Sequence, residues 1–106
     1  MIQVEIVRNK EERIAQFKVQ GHANAGPHGE DIVCAAVSAL TQTALLGIGK
    51  HLGRKVFYEV ASGRVLARLE EAPDRLTDAV LETMLLGLRE IEKLNPERIR
   101  ILEARR

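Results

Sequence analysis

Apolar and polar residues alternate over the first twenty positions. Ile2, Val4 and Ile6 fall on one side and Gln3, Glu5 and Val7 on the other, the period of a half-buried strand. Asn9-Lys10-Glu11-Glu12 reads as a polar turn, and Ala15, Phe17 and Val19 then alternate with Gln16, Lys18 and Gln20. Two such runs around a short turn predict an antiparallel hairpin that ends at Gly21. Residues 21–30 contain three glycines and a proline and follow neither period, which predicts a loop. From Ile32 to Gly49 there is no charged residue, and the spacing becomes helical. Val33, Val37, Leu40, Ala44 and Ile48 form one stripe, with Cys34, Ser38, Thr41 and Leu45 beside it. The expectation is a helix buried on most sides, with Asp31 as its N-cap.

The second half repeats this order. Val56–Val60 and Val65–Leu69 alternate around Ala61-Ser62-Gly63-Arg64, the composition of a tight hairpin turn. A helix is predicted from about Pro73-Asp74, with Leu76, Val80, Met84, Leu88 and Ile91 at helical spacing, acids early and Arg89 and Lys93 late. Asn95-Pro96 stops it, and Arg98–Glu103 reads as a last strand. The predicted fold class is α/β: a single domain over residues 1–106, a two-layer sandwich of ββαββαβ order whose mixed sheet carries two packed helices. The two ββα units are too dissimilar in sequence to be called a repeat.

Charge and composition narrow the function. Sixteen Lys and Arg against fifteen Asp and Glu leave a formal charge of +1, so no strong field draws the chain to nucleic acid or anionic lipid. Phe17, Phe57 and Tyr58 are the only aromatic residues, poor material for stacking single-stranded bases. The uncharged segment has the length of a membrane span, but Ser38, Thr41, Gln42, Thr43, Gly47 and Gly49 argue against one. A single cysteine makes no internal disulfide, and Met1–Glu5 lacks the basic start and apolar run of a signal peptide. The expected compartment is the cytoplasm.

The chemistry-bearing stretch runs from Gly21-His22 through the loop to Asp31-Ile-Val-Cys34. With the helix starting at Asp31, Cys34 falls in its first turn, where unpaired N–H groups and the helix dipole favour a thiolate nucleophile and could hold an oxyanion. His22 closes the preceding strand, and a glycine-rich loop can fold back to bring its imidazole to the thiol as general base and acid. Residues 23–30 (Ala23, Asn24, Ala25, Gly26, Pro27, His28, Gly29 and Glu30) would then act as a flap over the substrate. Plainer readings stand beside these. A lone cysteine packs as a small hydrophobe, a strand-end histidine bonds to backbone, Asp31 caps the helix, and Ser38 bonds back to its own helix. A zinc site from His22, His28 and Cys34 with Asp31 lacks the tight paired spacing of structural sites. No phosphate-loop spacing is present, and the basic tail around Arg98, Arg100, Arg105 and Arg106 reads as a solvated edge.

The string Gly21-His22-Ala23, followed through Gly29-Glu30 by Asp31-Ile-Val-Cys-Ala-Ala-Val-Ser38, resembles the ribosomal-processing cysteine protease Prp family of bacteria. The resemblance implies a Cys/His-dyad endopeptidase that removes a short N-terminal extension from a large-subunit ribosomal protein. It implies Cys34 as nucleophile and His22 as general base, with Gly21, Asp31 and Ser38 on supporting motif positions. A small α/β homodimer, a ribosomal protein precursor as substrate, and no cofactor, membrane or direct nucleic-acid partner are further expectations. The competing function is a non-catalytic ribosome-associated or RNA-binding module in which Cys34 is core.

Overall fold

The computed structural model describes the backbone of residues 1–21 and 28–106, and the side chains of 1–21 and 32–106. In chain order the elements are β1 (Ile2–Arg8), β2 (Ile14–Gln20), α1 (His28–Leu46), a π-helical turn (Gly47–His51), β3 (Val56–Ala61), β4 (Arg64–Leu69), α2 (Arg75–Leu94) and β5 (Ile99–Arg105). The order is the expected ββαββαβ. The five strands form one mixed sheet in the order β3-β4-β2-β1-β5, antiparallel except where β1 pairs in parallel with β5. Both helices pack on one face of that sheet, whose buried residues come from alternate strand positions: Ile2, Val4, Ile6, Phe17, Val19, Val65, Ala67, Ile99 and Ile101.

The β1–β2 hairpin departs from simple alternation. Arg8 pairs with Ile14 and Val7 with Gln16, so Ala15 is an extra residue on β2. This bulge reverses which side chains face inward, and the buried residues of β2 are Ile14, Phe17 and Val19, while Ala15 is only half-buried. The turn before it is held by the Asn9 side chain, whose Oδ1 accepts the amides of Glu11 and Arg13 at 3.0 Å each.

Two helix expectations are corrected. The first helix begins at His28, so Asp31 is its fourth residue and not its N-cap, and residues 28–30 belong to the helix and not to the loop. Nor is α1 buried on most sides. Val33, Val37, Thr41 and Ala44 are buried, whereas Ile32 and Leu46 are exposed. The uncharged run therefore has an uncovered face. In α2, Asp74 is the N-cap as expected, completing a reciprocal capping box with Thr77. Its buried stripe is Thr77, Leu81, Met84, Leu85 and Leu88, one residue round from the predicted set, and Leu76 is exposed. Buried Thr77 spends its hydroxyl on the backbone of Asp74, accepting its amide at 2.9 Å and donating to its carbonyl at 3.1 Å. The helices cross closely where a side chain is missing: a Cβ on Gly87 would come within 2.9 Å of Leu40.

Ion pairs tie α2 to the strands. Arg8 bonds Glu82 of α2 and Glu103 of β5, and Arg89 of α2 bonds Glu103 and Glu92. Glu92 in turn accepts the amide of Ile101 at 2.9 Å. Hydrogen bonds from Arg8 and Arg89 hold the Glu103 carboxyl below its ordinary value. At the opposite end of the sheet, Gly21 follows β2 with φ +93°, its amide donates to the Gly63 carbonyl at 2.9 Å, and an added Cβ would overlap the Met1 carbonyl oxygen.

Two outcomes are expected. Gly21→Ala adds steric overlap to the left-handed backbone cost of about 1–2 kcal/mol, so urea unfolding shows a larger loss than for Gly53→Ala, whose φ is +65° but whose Cβ would meet nothing within 4 Å. A carboxyl with a lowered folded-state pKa contributes stability that is present above its unfolded value and is lost as pH falls. The urea midpoint should therefore hold from pH 7 to 5 and drop below the ordinary glutamate value of 4.5, with a shallower drop in Glu103→Gln.

Candidate active site

Cys34 is the seventh residue of α1. This corrects the expectation that it lies in the first turn: the amides that a helix start leaves unpaired belong to residues 28–31, one turn earlier. The dipole and oxyanion arguments made from a first-turn position therefore do not carry to Cys34. What α1 supplies instead is orientation. Its buried stripe of Val33, Val37 and Thr41 lies against the sheet, and Cys34, half-buried and packed against the core, sits on the flank of that stripe.

The flank opens into a cleft of about 120 Å³ at the end of the sheet where β1 begins and β2 ends. Cys34, Ser38 and Gln42 line its helical wall, spaced four apart so that they stack along one face. The opposite wall is the end of the sheet: Ile2, Gly21, and the β3–β4 hairpin from Val60 through Gly63 to Val65. The Gly21–Gly63 backbone hydrogen bond closes that wall. Thr41 is completely buried beneath the cleft and spends its hydroxyl on the Val37 carbonyl at 3.0 Å. The Ser38 hydroxyl oxygen accepts the Gln42 amide at 3.1 Å, which fixes the polar rim next to the thiol.

Of the residues singled out from sequence, Gly21, Cys34 and Ser38 are brought together on this cleft. Asp31, His28, Gly29 and Glu30 lie in the first turn of α1, by backbone. His22, Ala23, Asn24, Ala25, Gly26 and Pro27 lie outside the described residues, and with them the Cys/His pair, most of the flap and the His22–His28–Cys34 metal set. Among the described residues there is no cluster of three metal-ligating side chains. Sequence reasoning missed Gln42 and the hairpin residues Val60, Ala61, Gly63 and Arg64. Gln42 carried a usable signal, since it lies two helical turns from Cys34 on the same stripe. The hairpin carried none, because nothing local says that its turn meets the end of β2.

The arrangement is a thiol on a rigid helix, facing a cleft whose far wall is strand backbone, which suits attack on an extended peptide. Comparison with known proteins agrees. The family model described as cysteine protease Prp matches residues 1–100. The ribosomal processing cysteine protease Prp of Staphylococcus aureus is 32% identical over 104 residues, covering 95% of this chain and 97% of its own. That of Bacillus subtilis is 28% identical over 107 residues, covering 95% and 96%. The crystal structure of the S. aureus protease in complex with a covalently linked product peptide superposes with a TM-score of 0.88 at 30% identity, covering 97% of this chain and 99% of that one. A second crystal structure of that protease holds a substrate peptide and also superposes with a TM-score of 0.88. The chain described here belongs to the cysteine protease Prp family, and it is a cysteine protease.

Proposed function

We propose that this protein is a cytoplasmic endopeptidase that removes a short N-terminal extension from a large-subunit ribosomal protein, with Cys34 as nucleophile and His22 as general base and acid. The observation that carries the pairing is the place of Gly21. It forms part of the wall of the cleft onto which Cys34 opens, and His22 is the next residue in the sequence. The names of the S. aureus and B. subtilis relatives support a ribosomal substrate, and the covalently linked product in the S. aureus crystal structure supports a covalent intermediate.

The chemistry follows from those roles. His22 takes the Cys34 proton, and the thiolate sulfur attacks the scissile carbonyl carbon, placing negative charge on its oxygen. As the tetrahedral intermediate collapses, the C–N bond breaks and the imidazolium gives its proton to the departing amine, leaving a thioester on Cys34. His22 next takes a proton from water, whose oxygen attacks the thioester carbonyl. Collapse then breaks the C–S bond, releases the new carboxyl terminus and restores the thiol. Gly21 ties the cleft wall to Gly63, and Ser38 holds the Gln42 side-chain amide on the rim beside the sulfur.

We further infer that the working unit is a homodimer, supported by the uncharged outer face shared by the helices, where Ala39, Leu40, Thr43, Gly47, Val80 and Thr83 border a groove of about 500 Å³. Two outcomes check these readings. With a peptide spanning the cleavage site of the organism's own ribosomal protein precursor, Cys34→Ala abolishes cleavage with its urea midpoint unchanged, and His22→Ala lowers kcat by at least about a hundredfold while still binding peptide. Full activity in either variant refutes the pair. In sedimentation velocity, Ala39→Arg shifts the protein from dimer to monomer, and an unshifted dimer moves the interface elsewhere.

A further inference from the structure

The helix layer is narrower than the sheet. Two helices packed about 8–10 Å apart cover roughly four strands at about 4.8 Å spacing, and β3 is the strand left out. Its apolar face shows this. Val60 pairs with Val65, and Val65 with Val19; Tyr58 pairs with Ala67, and Ala67 with Phe17. Along both rows the residues of β4 and β2 are buried, yet Tyr58 is 60% exposed and Val60 51%. These are the rows that face the helices, so β3 extends the apolar floor into the open. Among the described residues β3 pairs with β4 alone, which makes it an edge strand with one side of its backbone unpaired within the sheet.

Between this ledge and α1 lies a groove of about 340 Å³, with Leu45, Leu46 and Gly49 on the helix side, Lys50 at its far end, and Val56, Tyr58 and Val60 on the strand side. At about 30 Å³ per water, it has room for large side chains. It is continuous with the Cys34 cleft, because Gln42 and Val60 line both. From Cys34 to Gly49, α1 and its π-helical continuation run about 22 Å, and the six residues of β3 span about 20 Å. The two walls therefore run side by side over the length of a six-residue extended segment.

We propose that the acyl half of the substrate peptide adds to the free edge of β3 as a sixth strand and sets alternate apolar side chains into the groove between β3 and α1. This deepens the protease reading and rests on it. The acyl half is the occupant because it stays bonded to the sulfur after the amine has left, so anchoring it holds the thioester in register while water attacks. Strand addition supplies affinity through main-chain hydrogen bonds and specificity through every second side chain.

The test uses a quenched-fluorescent peptide spanning the cleavage site of the organism's own ribosomal protein precursor, N-methylated one position at a time on the acyl side. Wild-type enzyme should show KM raised about tenfold at every second position and little change between them, the loss of about one hydrogen bond each time, with kcat within about threefold. Tyr58→Lys, at an exposed position, should raise KM by a similar factor and leave the rate of Cys34 alkylation by iodoacetamide unchanged. Cleavage that ignores both the N-methyl series and Tyr58→Lys overturns the docking and leaves the protease reading standing, and so does a KM that responds only to residues after the scissile bond. A Tyr58→Lys variant that changes sedimentation but not KM assigns the edge to a second copy and overturns it too. If the wild type cleaves no such peptide, the protease reading falls and the docking falls with it.

Discussion

The site depends on how closely the backbone at Gly21 can approach its neighbours. With φ at +93°, Gly21 turns the chain away from β2 against the Met1 carbonyl and donates its amide to Gly63. One residue thus ties together the start of β1, the end of β2 and the turn between β3 and β4, and the wall so formed is the one that Cys34 faces. Any side chain here would push the strand ends apart. The architecture of the opposite end is independent of this. There the Arg8, Glu82, Glu103 and Arg89 network locks α2 across β1 and β5. Stability drawn from one end leaves the other end open for a peptide.

The hairpins, the α2 cap and the strand–helix order were legible in the sequence because each rests on neighbours in the chain: Asn9 beside its turn, Asp74 beside Thr77, Gly63 between two alternating runs. Three features were not. The start of α1 at His28 was hidden because Pro27 and Gly29 read as loop residues, although glycine in a helix costs only about 1 kcal/mol and the rest of a long helix absorbs it. The bulge at Ala15 was hidden because one extra residue shows only when the partner strand is known. The exposed half of α1 was hidden because a run without charge looks the same whether the fold or a partner covers it. For the site, Cys34, Gly21 and Ser38 came from a motif, while the hairpin wall depends on a sheet order that no local pattern encodes.

That last ambiguity gives the groove its meaning. The most apolar eighteen-residue stretch within Ile32–His51 has a mean hydropathy of 1.8, yet only 28% of it is buried in the single chain. Water would tolerate charges on the exposed positions, and α2, of similar length on the same sheet, carries them freely: Glu82, Arg89, Glu90 and Lys93 lie among its residues. Their absence from residues 32–49, after Glu30 and Asp31 of the first turn, points to surfaces that are covered in use, since a charge beneath a bound peptide or a second helix would be desolvated without a partner. The face carrying Cys34, Ser38, Gln42, Leu45 and Gly49 runs from the thiol along the groove to the far end of β3. The face carrying Ala39, Leu40, Thr43 and Gly47 borders α2. Under the two proposals, the uncharged stretch of α1 after Asp31 serves as the floor for a substrate strand on one flank and as a subunit contact on the other, while its buried stripe holds the thiol fixed between them.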